Sequence, residues 1–539
     1  MMKLQNLGVK ERYAITEELP RIPLAVPGFR KVKLARKDIS RMLSVFVIFV
    51  LVSTATAHAF CPVGCQCDEE NLVVACIEAN LDVIPIALNP AIQRLVLKYN
   101  RIKTVDAALQ FYSGLQYLDL SYNHLVNIPQ TGFDAQKDLV ELHLNHNKIS
   151  SVTNRTFNYL NKLKVLSLRG NFLEDLPDRL FSALQNLEEL DLGKNRITRI
   201  DSAAFSGLPN LRVLYLDDNM LRNVPTTSFP YLGGLAELHV GLNQFTTLND
   251  DTFKGLNKLS ILDVSAAGLS NIADNAFRGL ATLRSLVLTS NKLVLIPTKQ
   301  LSALSRLEDL FIGQNEFSVV EVNAFKGLSN LRHVDISGAS NLEKIMKGAF
   351  TENLNIDTLT FSSNKKLRSI EDGALAGLPN LRHLTLRDNS FTTFPESLVA
   401  WPELRKLDLS DNPIDCACNL LWLKELLLQR NTSHILCASP APLKNRSLKV
   451  LSPDDLGCSL HDTQKQAIIG AICATAVFLA ALIGLMLYRY RQAMHNVFKD
   501  MKWNKPKIIG KEQEYQKASS DDDFRNAQHT LKHVPVTEL

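Results

Sequence analysis

The stretch LQYLDLSYNHL, Leu115 to Leu125, is written again and again along this chain of 539 residues. LVELHLNHNKI begins at Leu139, LKVLSLRGNFL at Leu163, LEELDLGKNRI at Leu187 and LRVLYLDDNML at Leu211. From IQRLVLKYNRI at Ile92 to LRKLDLSDNPI at Leu404 there are fourteen copies, 24 residues apart almost throughout, with 25 twice and 23 twice. Self-similarity at a fixed period of about 20–50 residues marks a stacked array. Within each L-x-L the two leucines leave a short strand on the same side and enter a core, and the residue between them points to the opposite face. One such unit cannot bury its leucines alone. Stacked units can, with parallel strands lining the concave side of an arc.

Asparagines recur with the same period: Asn100, Asn123, Asn147, Asn171, Asn195, Asn219, Asn243, Asn291, Asn315, Asn364, Asn389 and Asn412. Their amides are expected to form a ladder that satisfies buried backbone groups at a bend, a structural rather than catalytic role. A row of Phe111, Phe133, Phe157, Phe181, Phe205, Phe229, Phe253, Phe277, Phe325 and Phe350 reads as a core spine on the convex side. Two copies lack the asparagine: Ala267 stands there in LSILDVSAAGL and Ala339 in LRHVDISGASNL. The turn after Ala339 is one residue longer, as it is around Asn364. Repair by backbone or water is one expectation, and a change of curvature near repeats 8 to 12 is the other.

An open-ended array exposes its terminal cores and needs caps. Eight of the nine cysteines stand at its two ends, Cys61, Cys65, Cys67 and Cys76 before it and Cys416, Cys418, Cys437 and Cys458 after it. Even groups in an extracellular segment suggest disulfides, with three pairings open in each group; zinc is disfavoured, because paired C-x-x-C spacing and histidines at ligand spacing are lacking. The phrase L-x-x-L-x-L-x-x-N-x-L resembles that of the leucine-rich repeat family. CPVGCQC with Cys76 resembles the N-terminal cap of its extracellular members, and NPIDCACNLLWL with Cys437 and Cys458 their C-terminal cap, down to Trp422. The resemblance implies an α/β repeat fold, a leucine-rich repeat solenoid or horseshoe. It also implies the bonds Cys61–Cys67, Cys65–Cys76, Cys416–Cys437 and Cys418–Cys458, and a concave sheet that binds protein partners.

Two apolar stretches set the expected topology. LSVFVIFVLV, Leu43 to Val52, follows Arg41 and precedes the small-x-small site Ala57-His58-Ala59, so residues 1–59 read as a signal peptide with a long basic flank, or with a start at Met42. AIIGAICATAVFLAALIGLMLY, Ala467 to Tyr488, has no charge and at about 1.5 Å per residue reaches about 33 Å, enough to cross a hydrocarbon core. Arg489, Arg491, Lys499, Lys502, Lys505, Lys507 and Lys511 follow it and should stay cytoplasmic. Cys473, inside the span, reads as a reduced, packed residue. The expectation is a single-pass type I plasma-membrane protein: N-terminal cap 60–91, repeats 92–415, C-terminal cap 416–458, linker 459–466, transmembrane helix 467–488 and a disordered cytoplasmic tail 489–539.

Charge and motifs narrow the function. Residues 1–59 carry ten Lys/Arg and four Asp/Glu, and residues 489–539 carry ten and seven. With a total of +5, the middle of the chain is net −4, which disfavours nucleic acid as a partner. G-x-S-x-G, a Gly-rich phosphate loop and H-E-x-x-H are all missing, so an enzyme is not expected, nor a cofactor or metal. Aromatics with a polar tip are common interface anchors. Tyr99, Tyr117, Tyr122, His143, His146 and Tyr215 form a first candidate ligand-binding patch, and Val287 with Phe311 a second. The sequons at Asn154, Asn431 and Asn445 are glycosylation candidates, Asn154 on the convex segment of its repeat.

By resemblance to tartan, capricious and related neuronal surface proteins, the expected function is adhesion or axon and synapse targeting. The partner would be an extracellular protein or surface receptor, with homophilic contact one option; the other class is a co-receptor for a soluble ligand or neighbouring receptor. In the tail, Ser519 and Ser520 before Asp521 resemble an acid-directed phosphorylation site. The ending VPVTEL offers Thr537 and Leu539 to a PDZ-type scaffold.

Overall fold

The computed structural model describes residues 61–500, apart from 106, 431–433 and 459–461. One compact unit runs through Cys416 and resumes at Trp422–Val450; Ala417–Leu421 and the residues from Leu451 onward belong to a second. The signal-peptide reading, the sequon at Asn431 and the terminal Thr537 and Leu539 lie outside the described residues.

Sixteen strands make one sheet, and their order in space is their order along the chain. Gln66–Asp68 pairs antiparallel with Val73–Ala75, and from there every pairing is parallel, to Lys406–Asp408. The fourteen strands from Arg94–Val96 onward are the fourteen repeats, each three residues long. The constant period sets the register: Leu214 lies opposite Leu190 on one side and Leu238 on the other. These central leucines are fully buried, and the residues flanking them face away from the core.

The return side is made of turns and two-residue strands, such as Asp175–Leu176 with Arg199–Ile200 and Thr247–Leu248 with Asn271–Ile272. Phe157 and Phe181 stack there with ring centroids 6.3 Å apart, as do Phe229 and Phe253, while Phe253 and Phe277 are 6.2 Å apart. The spine reading needs one correction, because Phe111 is 60% exposed. It lies 22 residues before Phe133, and the residue one full period before Phe133 is Leu109, which is buried.

The asparagines form the expected ladder. Asn195 Nδ2 donates to Leu192 O and, one repeat back, to Leu168 O, both at 3.0 Å, while its Oδ1 accepts from Leu173 N at 3.1 Å. Each rung therefore ties two repeats together. Where Ala267 interrupts the row, Asn291 of the next repeat takes up the slack: its Oδ1 accepts from both Ala267 N at 3.1 Å and Leu269 N at 3.0 Å. Asn364 does the same for Ala339 N at 2.7 Å. These bonds hold the Ala267 and Ala339 amides to the following repeat.

The residue just before each ladder position turns the chain out of the strand in a left-handed conformation, with φ of 59° at Tyr99, 57° at Tyr122 and 53° at His146. That costs a non-glycine residue roughly 1–2 kcal/mol. Turn-to-turn bonds offset it, such as Tyr122 N to Asn145 O at 2.8 Å and His146 N to Arg169 O at 2.7 Å.

The cap disulfides are Cys61–Cys67, Cys65–Cys76, Cys416–Cys437 and Cys418–Cys458. Tyr112 fastens the N-terminal cap by donating to Pro85 O at 2.5 Å. Trp422 packs on Trp401, whose indole donates to Glu396 O at 3.0 Å. In the second unit, the helix Asp462–Asp500 includes a stretch, Gln466–Asn496, that is long and apolar enough to cross a membrane.

Because Asn291 Oδ1 accepts two backbone N–H groups where Asn195 Oδ1 accepts one, Asn291→Ala should destabilise more than Asn195→Ala, by about 1–3 kcal/mol of local stability. Hydrogen exchange at the Ala267 and Leu269 amides should accelerate accordingly; equal protection in the two variants would contradict the shared rung.

Candidate recognition surface on the concave sheet

Both residues flanking each buried leucine project from the sheet, so the face carries two columns of side chains rather than one. The column after the leucine places an aspartate at every third repeat: Asp119, Asp191, Asp263, Asp335 and Asp408. Each accepts the backbone N–H two residues on, as Asp263 does from Ser265 at 2.8 Å. The column before the leucine adds Glu141, Glu189, Glu237 and Asp309. Against these nine acids the two columns hold two bases, Arg94 and Lys406, in the first and last repeats.

Near the N-terminal end the left-handed turns stack their side chains into a stair. Tyr99 lies on Tyr122 and Tyr122 on His146, both with ring centroids 4.4 Å apart. Gly170 occupies the next step, where a Cβ would collide with the His146 ring. Tyr99 and Tyr122 are 43% and 38% exposed, large fractions for rings held in such order. Burial, with Lys194 and Arg169 nearby, holds the His146 pKa below its ordinary value. A second group lies beside the stair. Arg94 covers Tyr117 at 3.4 Å from the ring centroid, Tyr117 meets His143 at 5.2 Å, and His143 Nε2 is 3.4 Å from Glu141. Burial also raises the Tyr117 pKa, Asp119 adding to it.

Tyr215 does not join this patch. It lies three strands from His143, about 14 Å at about 4.8 Å per strand. Its ring instead stacks on His239 at 4.7 Å. Around this pair runs a polar network. Arg169 Nη2 donates to Asp217 at 2.6 Å, and its Nη1 donates to Asp217 at 3.1 Å and to Asp191 at 3.3 Å. His239 Nδ1 is 3.7 Å from Asp263. Burial alone would raise the Asp263 pKa, yet His239 and Ser265 hold it below the ordinary carboxylate value. Glu189 goes the other way, raised by burial and by Asp191.

Phe311 lies opposite Val287 and meets His333 edge-on at 4.9 Å, with His333 Nδ1 3.8 Å from Asp309. Arg94, Arg169, Asp217, His239 and His333 are absent from the sequence-derived candidates. A strand period of two would have found Arg94 and His333, the residues before the central leucine. Arg169 and Asp217 sit in turns, where no periodicity announces a contact. Asn154 and Asn445 are exposed. Among the described residues no group of His, Cys, Asp and Glu is arranged to hold a metal.

The concave sheet of this parallel solenoid carries stacked, exposed rings and an acid excess along its strand columns. The leucine rich repeat model matches residues 113–173, 161–221, 209–269, 233–293, 258–317, 281–342, 338–391 and 354–414, and the chain belongs to the leucine-rich repeat family. It is 38% identical over 84 residues to mouse SLIT and NTRK-like protein 6, covering 14% of this chain and 10% of that protein. It is 34% identical over 125 residues to mouse Amphoterin-induced protein 2, covering 22% and 21%. With mouse Toll-like receptor 2 it shares 28% over 138 residues, covering 24% and 17%. The chain thus spans about a fifth or less of these relatives, and none of their names is that of an enzyme. Among solved structures it is similar to TLR13 in a TLR13-ssRNA13 complex, with a TM-score of 0.50 and 26% identity, covering 65% of this chain and 59% of that one.

A raised carboxylate pKa means stability that is fully present below the unfolded pKa and lost as pH rises through the folded one. Glu189→Gln should therefore be more stable than wild type near pH 7, by under about 1 kcal/mol at this half-buried site, with the gap closing as pH falls through the carboxylate range. Thermal unfolding from pH 7 to pH 4 measures it, and a gap that widens toward acid would contradict the assignment.

Proposed function

We propose that this chain is a cell-surface receptor that recognises a protein partner through its concave sheet. The observation that carries this reading is the Tyr99–Tyr122–His146 stair: exposed, pre-ordered rings lose little entropy on binding and are suited to anchoring an interface. A single-pass type I topology at the plasma membrane fits the apolar helix and its basic C-terminal flank. The biological role is adhesion or axon and synapse targeting, as in the tartan- and capricious-type proteins it resembles. The second group, Tyr117 with His143, extends the patch, while Val287 with Phe311 and Tyr215 are separate contact points.

A similar solved structure is a complex with single-stranded RNA. Here nine acids against two bases on the strand faces argue against a phosphate backbone, which calls for clustered Lys/Arg. Glycan at Asn154, Asn431 and Asn445 would extend the surface; Asn154 is exposed in the convex turn of its repeat. The alternative role, a co-receptor acting on a neighbouring receptor, uses the same face and differs in whether the partner sits on another cell.

Screening cells that display the full chain against a panel of extracellular proteins, followed by mixed-cell aggregation, tests the reading. Tyr122→Ala should weaken capture of the partner by about tenfold or more with an unchanged surface level; undiminished capture would remove the stair from the interface. In the tail, a PDZ-type domain taking Thr537 and Leu539 as an added strand predicts that Leu539→Asp abolishes scaffold co-precipitation. Full retention of scaffold by that variant would end the proposal.

A further inference from the structure

Arg169 lies across Gly193 to reach Asp217, and Gly193 is what makes the crossing possible, since a Cβ there would collide with the guanidinium. Gly241 holds the same turn position two repeats on, two residues before its ladder asparagine. Beside it lies a recess of about 280 Å³ lined by Arg169, Tyr215, Asp217, His239, Asp263 and Ser265. That is below the roughly 300–1,000 Å³ of small-molecule sites, and suits a single side chain.

The recess is set up for a positively charged donor. Asp263 spends one oxygen on Ser265 N, and the other is 3.7 Å from His239 Nδ1. The His239 ring lies between two carboxylates, its Nε2 enclosed and 3.9 Å from Glu237 Oε2. Tyr215, stacked on that ring, adds the π-system that attracts cations. Asp217 already has its counter-ion in Arg169, whereas no Lys or Arg among the described residues forms an ion pair with Asp263.

We propose that this recess receives a basic side chain of the protein partner, a guanidinium in preference to an ammonium, in the way Arg169 is received over Gly193. A planar guanidinium can donate to Asp263 while lying against the Tyr215 ring, which a point-like ammonium does less well. The proposal deepens the concave-sheet reading and rests on it.

The full chain in nanodiscs of uncharged lipid, tested by interferometry against immobilised nona-arginine, nona-lysine and nona-citrulline peptides, decides it. Asp263→Asn keeps the Ser265 bond and removes the charge. Ser265→Arg supplies an occupant from the chain itself. Asp335→Asn is the matched control, making the same +1 change at an aspartate with the same turn bond, to Ser337 at 2.9 Å, outside the recess. Expected are arginine binding above lysine, citrulline near zero, and about a tenfold loss in both recess variants against twofold or less in the control. Equal loss in all three variants overturns the recess while leaving an acidic concave face intact. Citrulline binding as well as arginine, or no binding of either basic peptide, also overturns it. The partner screen remains a separate test of the broader reading.

Discussion

Everything in this solenoid depends on the asparagine amide that joins one repeat to the next. A short strand has too few backbone bonds to hold its place, and the bend after it leaves carbonyl and amide groups buried away from water. One side chain meets this need by donating to its own turn and the preceding repeat while accepting from that repeat's N–H. Because the partner is always one period back, the asparagine ladder also enforces the register that stacks leucine on leucine. The ladder continues across Ala267 and Ala339, where the next asparagine accepts the alanine N–H. A ladder of this kind fails locally rather than all at once, as expected of a quasi-one-dimensional fold.

The same turn shapes the surface. Leaving the strand requires a left-handed residue beside each asparagine, and glycine fills that position only at Gly170 and Gly338 among the fourteen repeats. Placing Tyr99, Tyr122 and His146 there looks costly until their rings are seen stacked at 4.4 Å. Packing one ring on the next recovers part of what the backbone gives up. The residues that make the turn are thus also those that build the stair of rings.

The repeats, the ladder and the strand faces were legible in the sequence because each is a fixed period, and period is what local sequence records best. What was not legible depended on counting or on long-range neighbours. Phe111 is conspicuous as a residue but two positions out of phase, so Leu109 takes the spine. Tyr215 has the chemistry of the first patch yet is three strands away from it. Arg169 pairs with Asp217, 48 residues on, through a gap that only Gly193 leaves open; no single repeat contains that information.

Register brings a difficulty that the concave face has to resolve. Residues at the same position stack about 4.8 Å apart, and like charges in adjacent strands repel. The aspartates avoid this by recurring at every third repeat, about 14 Å apart and beyond the Debye length of about 8 Å in physiological salt. Glu141, Glu189 and Glu237 alternate with Val165, Val213 and Ile261 for the same reason. Dilution of the charge along each column removes the repulsion between neighbours but leaves the sum, so the two columns stay rich in acid from Asp119 to Asp335. Between Asp191 and Asp217 the chain inserts its own cation, Arg169; at Asp263, the next aspartate of the column, no Lys or Arg among the described residues forms an ion pair. The acid excess is therefore a property the fold tolerates by spacing rather than removes by pairing.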